Sequence, residues 1–295
     1  MQIVEKISYS FSKSNSPSNT ACDGETLAFK TVDCYGGNSV LGEMPIYTPG
    51  KANGASGPVF VAGAQPGDAL AVDIFDISVG RCGFIHASSR SGPLRAVCED
   101  RTKLVHVKDG AVEFNGISWN AKPMIGVIGV APEDGAISSF LAGRHGGNMD
   151  SKLIAKGAKV YLPVRVPGAL LQIGDLHASM GDGEVCGTGI EIAGLVTARV
   201  KLVKSAELHW PLTETSAGWH INAAGATVES AMTSAAHELA RLLCKAWGWD
   251  ATDAFMYLSV RGDAGINQCC VPCDNVQVVV RFSIPKEPGM PALIS

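Results

Sequence analysis

The chain has 295 residues, of which 46% are hydrophobic and 18% charged, and a formal net charge of −4 at pH 7. That length and apolar content bury the core of one domain, or of two closely packed lobes, and exclude a disordered chain. A balance so near neutral, with no run of Lys or Arg, excludes a nucleic-acid binder, which needs clustered cations against phosphate.

The first fifteen residues, MQIVEKISYSFSKSN, hold no apolar stretch of signal-peptide length, and no later segment approaches the roughly 18 apolar residues of a spanning helix. The expected location is the cytoplasm, with no membrane partner. A strand is predicted from Glu25 to Val32 after the turn Cys22-Asp23-Gly24, and an apolar run follows from Pro58 to Gly63. The turn Gln65-Pro66-Gly67-Asp68 leads into Ala69 to Ile77, where Leu70, Val72 and Ile74 form a period-2 set with Asp73 opposite. Asp68 reads as a turn residue.

Gly126 to Val130 is a buried apolar segment; Lys159 to Val166 and Ala169 to Ile173 read as strands separated by Pro167-Gly168; Ala193 to Val203 is another. The long helical pattern comes late, from Thr227 to Trp247, with Val228, Met232, Ala235, Ala236, Leu239, Leu242, Leu243 and Ala246 on one stripe. His237 lies beside that stripe as a packed or partly exposed residue. A second helix is predicted to begin at Thr252 or Asp253 and run to about Val260, and a last strand from Val276 to Ile284. With 34 glycines and few aromatics, the expected class is mainly β (α+β), with β-sandwich-like sheets and a few helices in the C-terminal third. No linker separates domains, so residues 1–295 read as one unit.

Nine cysteines are an odd count in a long chain and read as buried apolar residues or thiols. Cys270-x-x-Cys273 lacks the two further soft ligands a zinc clamp needs. No Walker loop, G-x-G-x-x-G or G-x-S-x-G is present.

The densest chemistry is the string 173–187, IGDLHASMGDGEVCG. On an extended backbone Asp175 and His177 share a face, and so do Asp182 and Glu184 after a turn near Gly181. Carboxylates so close repel unless a cation neutralises them, which points to a metal ion. A second cluster precedes it, Arg144-His145-Gly146-Gly147-Asn148-Met149-Asp150, offering an imidazole, an amide and a carboxylate beside adjacent glycines. Cys186, in a glycine-flanked apolar segment, reads as packing rather than as a nucleophile.

These stretches carry a resemblance. HGGNMD at 145–150, YLPVRVPGALLQIGDLHASMGDGEVCGTGIE at 161–191, SGPVFVAGAQPGDALAVDI at 56–74 and GVIGVAPEDG at 126–135 together resemble the acetamidase/formamidase family. The departures are Asn53-Gly54-Ala55-Ser56-Gly57-Pro58, where the family commonly has His-Pro before its Gly-Pro, and Ser8-Tyr9-Ser10-Phe11, where an N-terminal histidine and tryptophan are replaced.

The resemblance implies a hydrolase that cleaves the C–N bond of a small aliphatic amide, working as a homodimer or higher homo-oligomer. Beside it, the residues suggest a divalent metal ion, zinc first with calcium or manganese as alternatives, on Asp150, Asp175 and His177. Such an ion would acidify a water and polarise the amide carbonyl. Glu184, with Asp182 beside it, is the expected general base, and His145 and Asn148 the expected substrate-binding residues. Asp33 is a further candidate for the site or a surface turn residue. The rivals are a non-catalytic metal-stabilised β-sandwich binding protein, whose site would be closed, and a hydrolase of a different amide-like compound.

Overall fold

The computed structural model describes residues 1–272 and 277–294. Among them 42% lie in strands and 12% in helices, the mainly β class expected from the glycine-rich, turn-broken pattern. One sheet has nine strands, in the order Gln2–Val4, Thr26–Thr31, Gly194–Val203, Ala69–Val79, Lys159–Pro163, Leu212–Glu214, Gly218–Gly225, Val278–Pro285, Asp263–Gln268. The second, of twelve strands, runs through Cys82–Ala87, Glu191–Ile192, Leu171–His177, Met124–Gly129 and Gly146–Asn148, with Ala55–Val61 also pairing Leu171–His177.

A single apolar cluster draws side chains from both sheets. Leu70, Val72 and Ile74 enter it from the first, and Ile125, Ile128, Ile173 and Leu176 from the second. The predicted period-2 set therefore faces the core, and Asp73 opposite it pairs with Arg199 and Lys159. Ala69 and Ala71, on that opposite face, belong to a second cluster with Leu239, Leu242 and Leu243 of the long helix. A central strand covered on both faces accounts for the nearly unbroken apolar run ALAV.

The long helix spans Val228–Trp247, capped by Thr227, whose side chain accepts from the Ser230 backbone, and closed by Gly248 at φ 71°. Val228, placed on the stripe by periodicity, is exposed at the first position of the helix; Glu238 is buried instead, held by Arg241. The second helix is Ala251–Arg261, and its cap is Asp250 rather than Thr252 or Asp253. The Asp250 carboxylate accepts from both of their backbone N–H groups, at 2.8 and 2.9 Å. The last strand begins at Val278; Val276 lies outside the described residues, as does Cys273 of the Cys-x-x-Cys pair.

Residues 82–120 form four strands that periodicity missed: Cys82–Ala87, Arg101–Lys108, Ala111–Phe114 and Ile117–Asn120. They make an outer meander whose end strand is exposed at every position. No helix among the described residues is long and apolar enough to cross a membrane.

Candidate active site

Three adjacent strands build the floor of the site. Leu171–His177 pairs antiparallel with Met124–Gly129, which in turn pairs with Gly146–Asn148. Their register sets Gly174 and Asn148 on either side of Val127. On its other side His177 pairs with Glu191. Asp150 follows just after Asn148, and Glu184 arrives from the loop between 178 and 190.

All five side chains are buried. The His177 Nε2 lies 3.1 Å from Glu191 Oε1, 3.7 Å from Asp175 Oδ2, and 4.0 Å from both Asp150 Oδ1 and Glu184 Oε1. Asp150, Asp175 and Glu184 have φ of 44°, 53° and 42°, a region that non-glycine residues adopt uncommonly and that gathers at functional sites. These turns aim three carboxylates at one imidazole, which a regular pleat would not do.

A pattern recurs in the carboxylates. Asp150 Oδ2 accepts from Gln268 Nε2 at 3.0 Å, Asp175 Oδ2 from Asn53 Nδ2 at 3.1 Å, and Glu191 Oε1 from Gly189 N at 2.8 Å. The other oxygen of each is buried without a partner, as are Glu184 Oε2 and both His177 ring nitrogens. One oxygen pinned and the other idle is how second-shell donors orient metal-ligating carboxylates. Gly126 keeps the space between two of them open: a Cβ there would stand 2.6 Å from Asp150 Oδ1 and 2.8 Å from Asp175 Oδ2. Gly126→Ala is expected to abolish metal retention, measured by elemental analysis after gel filtration, while overpacking costs about 1–3 kcal/mol of stability.

The electrostatics suit a cation. Four carboxylates surround one imidazole, and among the described residues no Lys or Arg pairs with any of them. Burial pushes the carboxyls of Asp150, Glu184 and Glu191 well above the usual range, and neighbouring carboxylates add to it. Burial opposes charge on His177, but Glu191 and Asp175 outweigh it and raise its pKa. The donor atoms of Asp150, His177 and Glu184 lie within 4.8 Å of one another, and so do those of Cys34, Asp175 and Glu191. Oxygens and an imidazole nitrogen at such spacing, idle and buried, fit a divalent ion.

A small cavity of about 30 Å³ opens on this cluster, lined by Asn148, Glu184, Asp175 and Glu191 with Tyr35, Phe140 and Thr188 among its walls. Asn148 presents a buried side-chain oxygen with no partner.

The structure thus brings together Asp150, Asp175, His177, Glu184 and Asn148. It does not bring in Asp182, whose carboxylate is gripped by Arg281 at 2.7 and 2.8 Å and by Lys152 at 2.8 Å, at the surface. Segment 181–187 is a loop rather than a returning strand, and φ values of 97° at Gly183 and 42° at Glu184 turn the two acids to opposite sides. His145 does not line the cavity either: it packs edge-on against Phe11 at 4.9 Å, and burial lowers its pKa to about 4. Asp33 is buried, not a surface residue, and both its oxygens are used by Tyr35 N, Gly37 N and the backbone and hydroxyl of Ser39.

Sequence reasoning missed Glu191, Cys34, Asn53 and Gln268. A carboxylate in the apolar run Gly189-Ile190-Glu191-Ile192-Ala193 is a buried-polar signal that could have marked Glu191. Nothing local marks Gln268, which reaches the site from the far end of the chain.

A sequence model of the Acetamidase/Formamidase family matches residues 23–144 and 136–287. A formamidase of Methylophilus methylotrophus is 30% identical over 209 residues, covering 50% of this chain and 51% of that protein. The chain spans between about half and three-fifths of the length of the curated relatives it matches. A recombinant predicted acetamidase/formamidase from Thermoanaerobacter tengcongensis superposes with a TM-score of 0.91 at 38% identity, covering 96% of this chain and 95% of that one. The acetamidase of Bacillus halodurans gives 0.89 at 34% identity, over 96% and 97%. Motifs, architecture and matched length agree, and the chain belongs to the acetamidase/formamidase family.

Proposed function

We propose that this chain is an amidase that hydrolyses a small aliphatic amide, of the formamide or acetamide type, to a carboxylate and ammonia, using a divalent cation held by Asp150 and His177. The observation that carries this reading is the placement of Glu184 and Asn148 on one small cavity, lined also by Asp175, with Asp150 and His177 grouped behind Glu184. A space of about 30 Å³ takes two to three water-sized groups, which favours the smallest amides. When bound, the cation supplies Lewis acidity toward the amide carbonyl and toward water.

The chain's own residues supply the rest. Asn148, through its idle side-chain oxygen, accepts a hydrogen bond from the substrate N–H and orients the amide. Glu184 takes the proton of the attacking water, whose oxygen forms the new C–O bond, and returns it to the nitrogen as the C–N bond breaks. Glu184 suits that task because it alone of the Asp150–His177–Glu184 set lines the cavity. Tyr35 and Phe140 wall the site and limit access of bulk water.

The test is ammonia release from formamide, acetamide and propionamide by protein stripped with chelator and refilled with zinc, manganese or calcium. Turnover that disappears on stripping and returns with one of these ions is expected, highest on the two smaller amides. No ammonia from any amide under any ion would sink the reading.

A further inference from the structure

The buried donors form two groups, Asp150, His177 and Glu184 in one and Cys34, Asp175 and Glu191 in the other, with the His177 imidazole close to both, 4.0 Å from Asp150 and Glu184 and 3.1 Å from Glu191. We propose that Cys34, Asp175 and Glu191 hold a second divalent cation, beside the one on the Asp150–His177 side. This extends the amidase site and rests on the reading of Asp150 and His177 as ligands of the first ion.

The geometry assembles the second site from three separate elements. Cys34 is carried by the turn that Asp33 fastens through Tyr35, Gly37 and Ser39, so its position is set by a fully bonded buried anchor. Asp175 stands at its φ of 53° near the end of Leu171–His177, and Glu191 on the neighbouring strand. The donor atoms of the three lie within 4.8 Å of one another, all in buried side chains that line the cavity.

Two further observations point to a ligand there. Asp175 Oδ1 and Glu191 Oε2 are buried with no partner, although the second oxygen of each is pinned by Asn53 and by Gly189. Charge points the same way. Four buried carboxylates and the Cys34 thiolate carry −5 when ionised; one divalent ion leaves −3 with no Lys or Arg pairing the carboxylates among the described residues, and a second brings the sum to −1. Hydrolase centres with two ions a few ångströms apart use carboxylates in this way.

Cys34 selects the kind of ion. A thiol binds metal as thiolate, so the site releases one proton as it fills, and thiolate favours borderline-soft ions such as zinc or cobalt over calcium or magnesium.

The experiment counts metal on the full chain. After loading with zinc and desalting, wild type is expected to retain two equivalents, Cys34→Ser and Cys34→Ala one, and Asp150→Asn one. Cobalt-loaded wild type and Asp150→Asn are expected to show a near-ultraviolet sulfur-to-cobalt band that Cys34→Ser lacks. That band is read on the unaltered chain, so a poorly folded variant does not block the test. One equivalent in wild type, unchanged in Cys34→Ser and without the sulfur band, would overturn the second site and leave the amidase reading standing. Two equivalents with the band but no ammonia from any amide would overturn the amidase reading alone.

Discussion

Glu184→Gln is expected to lower kcat/KM for formamide by about 10²–10⁴-fold, the usual contribution of a general acid–base group. The substitution keeps the shape of the side chain and removes its ability to take a proton. Elemental analysis is expected to show unchanged metal content, because His177 lies on the strand Leu171–His177 and Asp150 just after the strand Gly146–Asn148, both outside the 178–190 loop. Glu184 comes from that loop, fixed by Gly183 N to Asn267 O at 3.0 Å and Cys269 N to Gly183 O at 2.7 Å. Two results would reject the role. Turnover within about tenfold of wild type would show that no proton passes through Glu184. Loss of metal together with activity would show that it serves as a ligand.

The second large effect is on stability. In the metal-free protein, burial raises Asp150 and Glu191 to about 7 and Glu184 in the same direction, against about 4 in an unfolded chain. Folded values above unfolded ones mean that stability is fully present below the unfolded pKa and is lost as pH rises through the folded one. His177 is raised as well, so its contribution is complete below about pH 6.5 and also lost on the way up. Asp150 and Glu191 therefore weaken the metal-free fold between about pH 4 and 7, and Glu184 and His177 add to the loss as pH rises. A bound cation reverses the preference by favouring the ionised carboxylates, and its affinity grows with pH.

The Tm difference between metal-loaded and stripped protein is thus expected to widen steadily from pH 5 to pH 8. Shifts of this size correspond to several kcal/mol, or roughly 10 °C at the upper end. The acids with lowered pKa away from the site, Asp68, Asp76 and Glu214 among them, lose stability toward acid in both forms and cancel in the difference. Melting curves at four pH values, with and without chelator, measure it. A difference that stays flat or narrows would mean that the buried carboxylates are neutralised by something other than a bound cation.

Much of the scaffold was legible because its signals are local. Leu70, Val72 and Ile74 alternate, and they face the core. The spacing from Ala235 through Leu243 is helical, and that face packs on the nine-stranded sheet. The Ile117–Asn120 strand was missed because its alternation, Ile117 and Trp119 against Ser118 and Asn120, runs for only four residues. Asp250 was passed over as a cap because Thr252 and Asp253 are equally good cap types, and only backbone geometry chooses among them.

The site divides along the same line. By itself the sequence determined which chemical groups are available near one another: Asp175 and His177 two residues apart, Glu184 and Glu191 within fifteen, and Asp150 beside two glycines. Tertiary structure alone decided which of them meet. The period-2 rule paired Asp182 with Glu184, yet Gly183 at φ 97° breaks the extended backbone that rule assumes, and Arg281 draws Asp182 away. Cys34, Asn53 and Gln268 reach the cluster from positions up to 234 residues apart (268 − 34), brought there by sheet register and by buried turns. A side chain's direction depends on the backbone dihedrals that packing imposes, and the company a buried charge keeps depends on which strands lie side by side; neither is written in local spacing.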